Sequence, residues 1–113
     1  MQNSKPEVVV ALGRALDPDR VFFVAPDDEA ELPCISYMEL NNVPAEDADD
    51  EEYTQLEEFA IDIWGETTPE EVSAIALAVN AEMVLLGFVR RHTPDIPPKD
   101  GTYHKNMIYE RVI

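Results

Sequence analysis

A chain of 113 residues with 24 acids, 8 bases and a formal net charge of -16 can build one hydrophobic core but not two. Its 45% hydrophobic content argues against wholesale disorder, and its acidic field repels phosphate, which argues against ordinary nucleic-acid binding. There is no apolar run near the roughly 18 residues of a membrane span, no secretion-signal layout in the first residues, and a lone Cys34 that excludes an internal disulfide; a cytosolic chain, or one assembled in a cytosol, is expected.

The first predicted element is a helix. Ser4 and Glu7 form a capping box, and Val8, Val9, Ala11, Leu12, Ala15 and Leu16 recur at helical spacing until Asp17-Pro18-Asp19 stops the run. Val21 to Ala25 is a short β-branched and aromatic strand closed by Pro26, followed by an acidic loop to Pro33. Cys34 to Val43 reads as a second strand, with Ile35 and Tyr37 on one face and Cys34, Met38 and Leu40 on the other. Eight acids and no base lie between Pro44 and Glu58, which predicts a mobile acidic hairpin loop at about 44–58. Beyond it, Phe59, Ile61 and Ile63 alternate with Ala60, Asp62 and Trp64, the pattern of a half-buried strand antiparallel to the one before.

Thr68-Pro69-Glu70-Glu71 marks a second helix: Thr caps, Pro fills the first position, and the acids favour the positive helix end. Val72, Ile75, Ala76, Val79, Met83 and Leu86 form its core stripe, and Gly87 stops it. Leu77, Ala81, Val84 and Leu85 add apolar surface beyond that stripe, so this helix should be covered on two sides. Phe88 to Thr93 and Tyr103 to Ile113 are closing strands, joined by a Pro-rich turn region from Pro94 to Gly101. The order α-β-β-β-α-β-β predicts a single α+β domain over residues 1–113: an antiparallel sheet of four to five strands with both helices on one face.

Residues 1–89 carry 21 acids against three bases, whereas residues 90–113 carry five bases against three acids. That asymmetry suits contact between acidic and basic faces of neighbouring subunits, with a solubilising surface as the plainer alternative. Reactive chemistry finds little support. His92 and His104 with Cys34 or Asp62 lack zinc-ligand spacing, and Cys34 reads as a small buried hydrophobe. Ser36 and Ser73 sit in no nucleophile elbow, and the four glycines form no phosphate loop. Asp47 to Glu52 lacks the pattern of a calcium loop, and Asp62 with Glu66 is an unremarkable carboxylate pair. A non-catalytic protein without metal or cofactor is expected.

The helix Pro6–Leu16, the run Leu32-Pro33-Cys34-Ile35-Ser36-Tyr37 and the strand Phe59-Ala60-Ile61-Asp62-Ile63-Trp64 carry a family likeness. The helix after Thr68 and the closing Gly87-Phe88 to Met107-Ile108-Tyr109 complete it. The chain resembles the small tail completion proteins, or tail terminators, of long-tailed bacteriophages over nearly its whole length. The resemblance implies a structural virion protein, made in the host cytoplasm, that caps the tail tube as a six-membered ring and joins tail to head. Its partners would be other copies of itself, the major tail tube protein and a head-completion or neck protein, with DNA passing through the lumen without specific binding. In that setting Leu77, Val84 and Leu85 are candidate interface residues, with Arg90, Arg91 and Lys105 facing a neighbour's Glu57, Glu58 or Asp62. Glu46, Asp47, Asp49, Asp50, Glu51 and Glu52 would face the lumen or a partner protein. The competing reading is an acidic DNA mimic that occupies the basic groove of a nucleic-acid-binding protein.

Overall fold

A computed structural model describes residues 5–26, 29–44, 55–66, 68–92, 95–99 and 101–112. The elements in chain order are α1 (Lys5–Ala15), a single 3-10 turn (Pro18–Arg20), β1 (Val21–Phe23), β2 (Cys34–Pro44), β3 (Gln55–Gly65), α2 (Pro69–Leu85), β4 (Val89–His92), β5 (Asp95–Lys99) and β6 (Thr102–Val112). The expected α+β class holds. One sheet runs β1-β2-β3-β6-β4, and β5 pairs the other half of β6 along the same edge as β4.

Pairing of β2 with β3 aligns Ile35 with Ile63 and Tyr37 with Ile61. Pairing of β3 with β6 aligns Phe59 with Tyr109 and Ile61 with Met107. Directly opposed residues share a face, so this register gathers Ile35, Phe59, Ile61, Ile63, Met107 and Tyr109 on one side. Val8 and Leu12 of α1 and Val72, Ile75, Ala76, Val79 and Met83 of α2 close over them as the core. Both helices therefore cover one face, as expected.

The local signals of α2 take effect as chemistry dictates. The Thr68 hydroxyl accepts from the Glu71 amide at 3.2 Å, and Pro69 opens the helix. At the far end Gly87 adopts φ +95, Phe88 N–H donates to Met83 O at 3.0 Å, and Gly87 N–H donates to Val84 O at 2.9 Å. These paired bonds satisfy the last carbonyls and require a residue without Cβ strain. Gly65, which ends β3, is needed for a different reason: a Cβ there would lie 2.7 Å from a Val72 methyl, so it lets strand and helix approach.

Three expectations need correction. The sheet is mixed, because β1 runs parallel to β2; the connection from Val24 to Pro33 is long enough to return the chain to the same end, whereas an antiparallel hairpin would favour a two- to five-residue loop. β1 also ends at Phe23, since Val24 adopts φ 72 and Ala25 N–H turns back to Phe23 O at 2.8 Å. The region expected as a turn contains β5; its register shifts between Ile96 and Lys99, where Pro97 and Pro98 can sit on an edge without a ladder donor. Glu7, expected in the capping box, meets Arg111, 104 residues away, at 2.7 Å. Ser4 of the expected capping box lies outside the described residues.

Candidate subunit interface

α2 is apolar nearly all the way round, and the fold uses half of it. The core stripe from Val72 to Met83 is buried, while Leu77, Val84 and Leu85 are 72%, 54% and 79% exposed. Ala74 and Ala81 are exposed between them. At spacings of three and four residues these five side chains form one outward stripe without a charge. Fully burying a large aliphatic side chain is worth about 1.5–3 kcal/mol relative to leaving it in water, so the stripe is a standing incentive for contact. Val10 on α1 is also half exposed.

The charged candidates are placed less simply. Arg90 is exposed, and Arg91 reaches Glu110 of its own chain at 3.0 Å while remaining 60% exposed. Lys105 and Glu58 lie partly buried on β6 and β3. Asp62 is engaged within the protomer: its Oδ1 accepts from Asn106 Nδ2 at 2.9 Å and lies 2.8 Å from His104 Nε2. The His104 ring stacks on Trp64 with centroids 3.8 Å apart, and Trp64 Nε1 donates to the buried Ser36 hydroxyl at 3.1 Å. These residues tie β2, β3 and β6 together on the face turned from the helices.

Glu57 is a correction. Rather than facing a neighbour it is fully buried, because it shares β3's core face with Phe59 and needs a partner there. Arg111 supplies it: Nη2 and Nε donate to Glu57 Oε1 at 2.9 and 3.1 Å. The same guanidinium donates to Glu7 at 2.7 Å and to Leu86 O at 2.7 Å, and lies over the Phe88 ring at 4.4 Å. Burial alone would weaken its charge, but hydrogen bonds and attraction from Glu7 and Glu57 outweigh that and raise its pKa. Thus one side chain joins α1, the end of α2, β3 and β6. Only the isolated Arg at the end of an alternating strand hinted at it in the sequence.

Burial pushes the Cys34 thiol up to about 11, with Arg20 pulling weakly the other way, so it stays protonated near neutrality. Among the described residues no three His, Cys, Asp or Glu side chains converge as metal ligands, and no helix is long and apolar enough to cross a membrane. Glu46, Asp47, Asp49, Asp50, Glu51 and Glu52 lie outside the described residues.

A second feature was not visible in the sequence pattern. On the outer side of α1 a dimple of about 290 Å³ opens among Val9, Val10, Gly13, Arg14 and Pro18, and its lining is almost wholly apolar. Arg14, one of its lining residues, also reaches Glu82 of α2 at 3.5 Å. The sequence matches no protein-family model and no curated protein.

Proposed function

We infer that this chain is a structural subunit that assembles with copies of itself into a closed ring, in the manner of the phage tail terminators its element order resembles. The exposed, uncharged stripe of α2 carries this reading, because it offers a docking surface on a chain whose charge otherwise opposes self-association. A ring requires a heterologous contact, in which one surface meets a different surface of the next copy. Exposed Arg90 and Arg91, on an edge strand of an otherwise acidic protein, supply polar contacts at the rim of such an assembly. Rim ion pairs are worth only about 0–1 kcal/mol each, so apolar burial contributes most of the affinity. In the full assembly the ring would sit on a tail tube and meet a neck protein, with DNA passing through its lumen. Electron microscopy of the protein mixed with tail tubes tests this: rings at tube ends are expected, and bare tubes beside dispersed protein would reject it.

A further inference from the structure

We draw no further inference here: the strongest candidate, the cavity of about 380 Å³ lined by Val72 and Ser73 of α2, Ile96 of β5 and Tyr103, His104 and Lys105 of β6, carries nothing, because His104 is already held by Asp62 of the same chain and nothing in the structure shows what would fill the cavity.

Discussion

The two sides of α2 are equally apolar and have opposite fates. Val72, Ile75, Ala76, Val79 and Met83 are enclosed by the sheet and α1, while Leu77, Val84 and Leu85 stand in water. The difference is one of supply: a single sheet face with two helices covers one stripe per helix, and nothing among the described residues reaches the second. Composition alone thus cannot say which apolar residues hold a fold together and which stand outside its core. Perturbing each side separately should divide the two roles.

The largest loss of folding stability is expected outside both stripes, at the buried cluster on which the end of α2 rests. Arg111→Ala would remove the cation shared by the enclosed Glu57 and by Glu7 and free the Leu86 carbonyl, costing about 3–5 kcal/mol. Urea unfolding measures this; a loss below 1 kcal/mol would mean the cluster is not a fixed part of the native state. Next comes the inner stripe. Met83→Ala removes a fully buried side chain and should cost about 2–5 kcal/mol, with no separate effect on association once folding is restored by lower temperature.

Alkaline pH sharpens the same division. Burial raises the Tyr109 hydroxyl, bonded to Asn80 of α2 at 2.8 Å, to about 12, with Arg90 pulling weakly the other way. The unfolded phenol ionises near its ordinary value of about 10, so its contribution is complete below that pH and is lost as pH climbs toward 12. Tyr109→Phe should flatten that part of the stability profile, and an unchanged slope would show the hydroxyl is not enclosed. The smallest folding effect is expected on the outer stripe. Leu77→Glu should change stability by no more than about 0.5 kcal/mol yet abolish ring formation on tubes, as seen by sedimentation and microscopy.

How much of the fold is legible in the sequence follows the range of the interactions. α2 can be read almost residue by residue, because its Thr-Pro cap, its 3.6-residue stripe and its terminal Gly87 all act within a few positions. β3 can be read for the same reason, since alternation is local. The parallel pairing of β1 is not legible, because it depends on where a ten-residue connection leads the chain. Nor is the pairing of Arg111 with Glu7 and Glu57, which joins residues 104 and 54 positions apart. For the proposed interface, the surplus apolar surface of α2 is visible in the sequence. The α1 dimple is not, because Gly13 and Pro18 create it by how they pack: a Cβ on Gly13 would stand 3.3 Å from Pro18.

Chemical footprinting of one position on α2 probes the division between its two sides most directly. Leu85→Cys places a thiol at the most exposed point of the stripe, and its alkylation rate can be compared in the dispersed protein and in particles assembled on tail tubes. Rapid labelling of the dispersed chain and strong protection in the assembly are predicted. Equal labelling in both states would show that the outer side of α2 stays in water and that copies do not meet there.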